Sequence, residues 1–173
     1  MLVKIITPEG GERRFSYDKV GNMTKIVDEL GNVTSYEYTS NGKLSKVTDS
    51  LMNSDVYTYD GMGRVISKLD RDENLTNISY NSIGQVEKIT YSDDNEVKMS
   101  YDELGFLKEI EDLNGKIEIE TDILGRVLTT TDYSGNRVLY EYENNKRKSM
   151  IYPDGKKLNY QYNDNGLLSS IAK

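Results

Sequence analysis

Chemistry in this chain has to come from carboxylates and hydroxyls. The sequence holds 29 Asp and Glu and 14 Tyr, but no histidine, cysteine or tryptophan. Without histidine the usual nucleophile–base triads are missing. Without cysteine there is no thiolate nucleophile, no disulfide framework and no cysteine-bearing zinc site. Carboxylate groups are the remaining route to acid–base work or metal binding. Asp70-Arg71-Asp72-Glu73-Asn74 starts like a calcium loop but lacks the sixth-position glycine and the twelfth-position glutamate. Asp18, Asp60, Asp102 and Asp122 fall at equivalent points of a repeat, so neighbours stand two strands apart, about 10 Å. Calcium needs oxygens within about 2.3–2.6 Å, so these four cannot chelate one ion. The reading is that there is no catalytic, cofactor or metal site.

Tyrosine is the other reactive-looking residue. Aromatic rings with a polar handle can form platforms for sugars, or they can act as mortar between structural units. Their spacing favours mortar. Tyr17, Tyr38, Tyr59, Tyr80 and Tyr101 are each 21 residues apart, and each is followed four positions later by a glycine: Gly21, Gly42, Gly63, Gly84 and Gly105. After single-residue deletions the series continues as Thr121 with Gly125, Tyr142 with Lys146, and Tyr162 with Gly166. Eight copies therefore cover nearly all of residues 1–173 as one array with half units at both ends. A period of this size marks tandem supersecondary units.

One copy contains two turn signals separated by short β-rich runs. Val33 to Thr39 alternates Val, Ser/Thr and Tyr, as a pleated, half-buried strand does. The Asn-Gly pairs at 41–42, 114–115 and 165–166, and Asp-Gly at 154–155, are strong hairpin signals. A turn ending in a left-handed glycine gives a hairpin with a bulge at that glycine. No 3.6-residue apolar period persists, so helix is disfavoured. The expected fold is all-β: tandem hairpins in one long, curled antiparallel sheet of roughly sixteen strands.

Four columns describe the strip. Two residues after the first-turn glycine come Met23, Leu44, Val65, Val86, Leu107, Val127 and Leu168, with Lys148 as the exception. Five residues after it come Ile26, Val47, Ile89, Ile110, Ile151 and Ile171, broken by Lys68 and Thr130. Two residues before each repeat tyrosine lie Phe15, Tyr36, Tyr57, Ile78, Met99, Ile119, Tyr140 and Tyr160. On regular strands the first two columns face opposite ways, unless a bulge intervenes, and this predicts apolar character on both faces. The fourth column, seven residues after the glycine, is Asp28, Asp49, Asp70, Asp112 and Asp132, with Tyr91 and Pro153 substituting. Aspartate there is expected to accept hydrogen bonds from the following turn. Lys43, Arg64 and Arg126, directly after the glycine, are expected to be solvated. Lys146 replaces a turn glycine, and Asn145 is the alternative carrier of the left-handed conformation.

Net charge and hydropathy exclude further classes. The formal net charge is -7 and only 36% of residues are apolar. A duplex-wrapping nucleic-acid binder needs clustered Lys and Arg, so nucleic acid is not expected as a partner. No apolar run approaches 18 residues, and Met1–Ile6 is too short for a signal-peptide core, although an isolated piece can have lost such a signal. Asn22, Asn32, Asn74 and Asn77 satisfy the glycosylation sequon; they follow from turn asparagines before Thr- or Ser-bearing strands and carry no assigned function.

The pattern Tyr-Asp-x-x-Gly-(Arg/Asn)-hydrophobic, then Thr/Val-Asp-x-x-Gly-Asn and Tyr-x-Tyr, resembles the YD repeat of Rhs-type proteins. Tyr59-Asp60-Gly61-Met62-Gly63-Arg64-Val65, Tyr101-Asp102-Glu103-Leu104-Gly105 and Thr131-Asp132-Tyr133-Ser134-Gly135-Asn136 carry the likeness most closely. That family includes bacterial wall-associated proteins, polymorphic toxins, insecticidal toxin-complex subunits and animal teneurins. The resemblance implies a hairpin strip that spirals into a hollow shell around a toxin or other cargo in a secreted or surface protein. It implies neighbouring repeats or shell segments as partners and a non-enzymatic role. Nothing here matches the Asp-Pro-containing core end of the family, so the chain reads as an interior piece or a relative reduced to repeats. Both end strands are expected to present unpaired edges open to self-association. The competing reading is a module binding glycans or a cell-surface partner through the tyrosines.

Overall fold

A computed structural model describes residues Met1–Lys173. The chain is all-β, with 17 strands and no helix, so no helix is long and apolar enough to cross a membrane. It divides into two compact units, Met1–Ser79 with Ile89–Asp94 and Tyr80–Lys88 with Asn95–Lys173. The first unit is built on β1 (Lys4–Ile6), β2 (Glu12–Tyr17), β3 (Met23–Val27), β4 (Val33–Tyr38), β5 (Leu44–Thr48), β6 (Ser54–Tyr59), β7 (Val65–Leu69) and β8 (Leu75–Tyr80). After β9 (Val86–Thr90), the second is built on β10 (Glu96–Tyr101), β11 (Leu107–Asp112), β12 (Gly115–Thr121), β13 (Val127–Thr131), β14 (Arg137–Glu143), β15 (Lys146–Ile151), β16 (Lys157–Tyr162) and β17 (Leu168–Ala172). Within each unit every strand pairs antiparallel with the next in sequence, β1 through β8 and β10 through β17. The three-residue β1 is the strand beyond the expected sixteen.

Both turn types close the same way. In the Asp60–Arg64 turn, Gly63 N donates to Asp60 O at 2.9 Å and Asp60 N to Arg64 O at 2.9 Å, with Gly63 at φ 82°. This is a turn whose last residue is left-handed, where a β-carbon is crowded against the following carbonyl. All seven first-turn glycines of the array, Gly21, Gly42, Gly63, Gly84, Gly105, Gly125 and Gly166, have positive φ. In three second turns a side chain carries the strain instead: Met52 at φ 69°, Glu73 at φ 64° and Asp94 at φ 63°.

A recurring bulge sets the faces of the sheet. In β2–β3 the register passes from Ser16↔Lys25 to Tyr17↔Met23 and skips Thr24. The same skip falls at Ser45 and Ile66 in the first unit, and at Lys108, Leu128, Lys148 and Ser169 in the second. Directly opposed residues share a face, so Tyr17 with Met23, and Phe15 with Ile26, lie together. The first two columns therefore lie on one face and not on opposite faces as expected, while apolar character on the other face comes from Val27 with Val33, Val56 with Leu69 and Leu75, and Leu139 with Ile151. That other face also carries polar residues such as Lys25, Ser35, Glu109, Glu118, Glu141 and Asn159.

The β14–β15 hairpin also departs from the expected frame. Asn144 and Asn145 stand at φ 50° and 63° between the paired Glu143 and Lys146, a two-residue turn of the primed kind. Asn145, not Lys146, holds the glycine position. The columns of that copy therefore move back by one residue. Arg147 replaces Lys148 opposite Tyr142, Met150 replaces Ile151 opposite Tyr140, and Tyr152 takes the turn position read as Pro153.

No apolar side chain in the chain is buried; only Thr129 and Ser149, both on the polar face, reach that state. The tyrosine face is half-buried throughout most strands. Within each unit the strands form a single layer with no second layer of the same unit over that face, whereas a stable domain needs at least two layers. The face calls for a cover.

Candidate functional site

The ladder between one copy and the next is short. β3 and β4 pair only through Val27↔Val33, Ile26↔Thr34 and Lys25↔Ser35. Beyond that point the Met23 carbonyl has no ladder partner, and Tyr38 Oη donates to it at 2.7 Å. The same bond, always to the residue fifteen positions earlier, runs from Tyr17 to Leu2 O (2.7 Å), Tyr59 to Leu44 O (2.6 Å), Tyr101 to Val86 O (2.7 Å), Tyr142 to Val127 O (2.9 Å) and Tyr162 to Arg147 O (2.9 Å). Tyr80 ends β8 at the corresponding point of its copy. Each hydroxyl ties its own hairpin to the previous one where main-chain pairing has stopped. Thr121, the one non-tyrosine at this position, is too short for the tether; its Oγ1 bonds Asp102 Oδ2 at 3.3 Å instead.

A cation shelf lies above the tyrosines. Lys43 Nζ sits 5.5 Å from the Tyr59 ring centroid, the Arg126 guanidinium 4.9 Å from Tyr142 and Lys146 Nζ 5.1 Å from Tyr162. Each belongs to the hairpin before the tyrosine it covers. A β-carbon on Gly63 or Gly166 would collide with Lys43 or Lys146, and one on Gly125 would meet the Phe106 ring. These glycines therefore serve twice, by their backbone conformation and by leaving room for the side chain of the preceding copy. The expectation that Lys43, Arg64 and Arg126 are merely solvated is corrected. Arg64 and Arg126, each 30% exposed, also bond Asp60 (2.7 Å) and Asp122 (2.6 Å) through Nε. The signal was present in the sequence as a cation sixteen residues before Tyr59, Tyr80, Tyr142 and Tyr162, though not before Tyr38 or Tyr101, but spacing alone does not disclose a stack.

The turn aspartates act as clasps. Asp28 Oδ1 accepts Leu30 N (2.9 Å) and Asn32 N (2.8 Å), while Oδ2 accepts Asn32 Nδ2 (2.8 Å). Asp49, Asp70 and Asp132 do the same for their turns. The Arg64 amide, and then its guanidinium, hold the Asp60 carboxyl below its ordinary value against the opposing effect of partial burial. The Asn136 amide group and main-chain N–H do so for Asp132. Depressed carboxylates are often functional, but these are explained by the turn they close. The calcium-like run 70–74 is such a turn, and no three acidic groups converge to hold a metal. Asn22, Asn32 and Asn74 spend their side-chain amides on the aspartate clasps.

Two units built from the same tethered, clasped hairpin point to one repeat family. Residues 17–51 match the RHS repeat family and residues 67–173 match the Teneurin YD-shell family. The chain belongs to the Teneurin YD-shell family. No curated protein matches this YD-shell chain. Among solved structures, it is similar to the Photorhabdus luminescens Tc holotoxin pore, at 13% identity and a TM-score of 0.70, over 96% of this chain and 12% of that one. It is also similar to TcdB2-TccC3 without its hypervariable C-terminal region, at 14% identity and a TM-score of 0.74, over 94% of this chain and 10% of that one. The YD-shell chain thus spans about a tenth of each of these two structures, and at these identities the likeness concerns the fold.

Proposed function

We propose that this chain is a stretch of wall in a YD-type shell, a non-enzymatic structural segment that helps enclose a toxin or other cargo within a secreted or surface-delivered protein. All eight copies act as one array, in which Tyr17, Tyr38, Tyr59, Tyr80, Tyr101, Tyr142 and Tyr162 and the paired glycines are structural positions. The carrying observation is the tyrosine face: apolar, built by every bulged hairpin, and without a single fully buried apolar side chain. Such a face belongs to the inner or contact side of a larger enclosure. Stability shared between nearest neighbours suits a wall of variable length. The carbohydrate-binding alternative has weaker support, because six repeat tyrosines commit their hydroxyls to main-chain carbonyls.

The test is a paired measurement. The isolated chain should bind the dye ANS strongly. A longer polypeptide that carries it should bind less dye per repeat and hold an internal segment resistant to added protease. Cleavage of that segment as fast as in the denatured protein would sink the shell reading.

A further inference from the structure

Arg147 is the residue that the repeat leaves unexplained. It faces Tyr142 across β14–β15, at a place where every other copy carries an aliphatic side chain. Its guanidinium lies 4.6 Å from the Tyr140 ring centroid and 5.9 Å from that of Tyr160, and its Nε is covered and has no partner. The polar groups within reach of its guanidinium are the hydroxyls of Tyr142 and Tyr160. Nearby carboxylates are already engaged: Glu143 with Lys148 at 3.1 Å, and Glu141 with Lys157 at 2.7 Å and with Ser149. A fixed positive charge thus stands in the apolar face of the second unit without a counter-charge. Removing a cation from water is costly unless an anion compensates it, and a stacked guanidinium is pre-oriented for a two-pronged bond to a carboxylate.

We propose that Arg147 is the receptor for a carboxylate side chain, presented by an acidic and apolar extended polypeptide segment that covers the tyrosine face of the second unit. A carboxylate fits better than a phosphate, because Arg147 supplies one two-pronged charge and Arg126, stacked on the neighbouring Tyr142, is already bonded to Asp122. A polypeptide fits better than a small acid, because Met150, Leu158 and Leu168 around the site need apolar cover. The proposal rests on the wall reading of this face, and deepens it by naming what the face receives.

The probes are the capped tripeptide acetyl-Val-Glu-Val-amide and its Gln counterpart, titrated into the isotope-labelled chain. NMR follows the Arg147 Nε–Hε signal and the ring protons of Tyr140 and Tyr160. The Glu peptide should give saturable shifts, at least tenfold weaker with the Gln peptide and absent in Arg147→Met, which restores the aliphatic pattern. Arg147→Lys, keeping the charge but not the planar fork, should weaken binding several-fold and serves if the Met variant does not fold. Equal binding of both peptides overturns the carboxylate assignment, and the absence of any saturable shift overturns the site. Either failure leaves the wall reading standing, since that is judged separately by dye binding and protease protection.

Discussion

Tyr59 Oη and the main-chain oxygen of Leu44 are 2.6 Å apart, joining two hairpins where the strand ladder between them has already ended. The bond is the mechanical unit of the array. Tyr59→Phe keeps the ring and its packing against Lys43 but leaves the carbonyl unpaired. A loss of about 0.5–1.5 kcal/mol is expected in urea unfolding. Tyr133→Phe, in an exposed turn, should change stability by less than about 0.5 kcal/mol. Equal effects at the two sites would contradict the tether.

Left-handed side chains offer the opposite change. Met52→Gly and Glu73→Gly remove a β-carbon from positive φ, and each should stabilise the chain by about 1 kcal/mol. Gly63→Ala introduces the same strain and makes the end of Lys43 swing away from Tyr59, so it should destabilise by about 1–2 kcal/mol. Thermal unfolding of the three variants checks the signs. A fall in midpoint for both glycine substitutions would contradict the turn geometry.

Acid should unfold the clasps. Asp60, Asp70 and Asp132 all have carboxyls held below the ordinary value, by the Arg64 amide, the Asn74 amide and the Asn136 side chain respectively. A folded-state pKa below the unfolded one means that the unfolded chain binds more protons as pH falls. Their contribution is therefore complete above about pH 5 and is lost as pH drops through and below about 4. Asp60→Asn should flatten part of that decline. Stability that rises on acidification from pH 5 to 3 would contradict the assignment.

The Arg126–Tyr142 stack can be isolated with a double-mutant cycle. Arg126→Gln and Tyr142→Leu should show a coupling of about 0.5–1 kcal/mol, separate from the Arg126–Asp122 pair, which both arms of the cycle lose together. Zero coupling would return Arg126 to the role of a solvated cation.

Excision of one whole copy, residues 39–59, joins Tyr38 directly to Asp60 and preserves the sequence of turns. The shortened chain should stay all-β by circular dichroism and unfold at a lower midpoint, as nearest-neighbour stabilisation requires. Deletion of one mid-strand residue, Glu37 in β4, should cost much more, because a slip inside a strand turns the side chains beyond it to the wrong face. Similar stability of the two deletions would argue against a fixed register.

Much of this was written along the chain. The 21-residue interval of Tyr17, Tyr38 and Tyr59, with a glycine four residues on, was enough to determine tandem hairpins, left-handed turn glycines and aspartate clasps, because these depend on residues no more than a few positions apart. What needed tertiary structure is whatever depends on the neighbouring hairpin. The bulges at Thr24, Ser45 and their equivalents brought two columns read as opposite onto one face, since an extra residue on one strand reverses the alternation after it. The Asn144–Asn145 turn moved a frame by one residue and placed Arg147 where spacing had put Lys148. The cation shelf over Tyr59 and Tyr142 became visible only when successive copies stood side by side, because a stack between residues sixteen apart is set by strand registry and not by local preference.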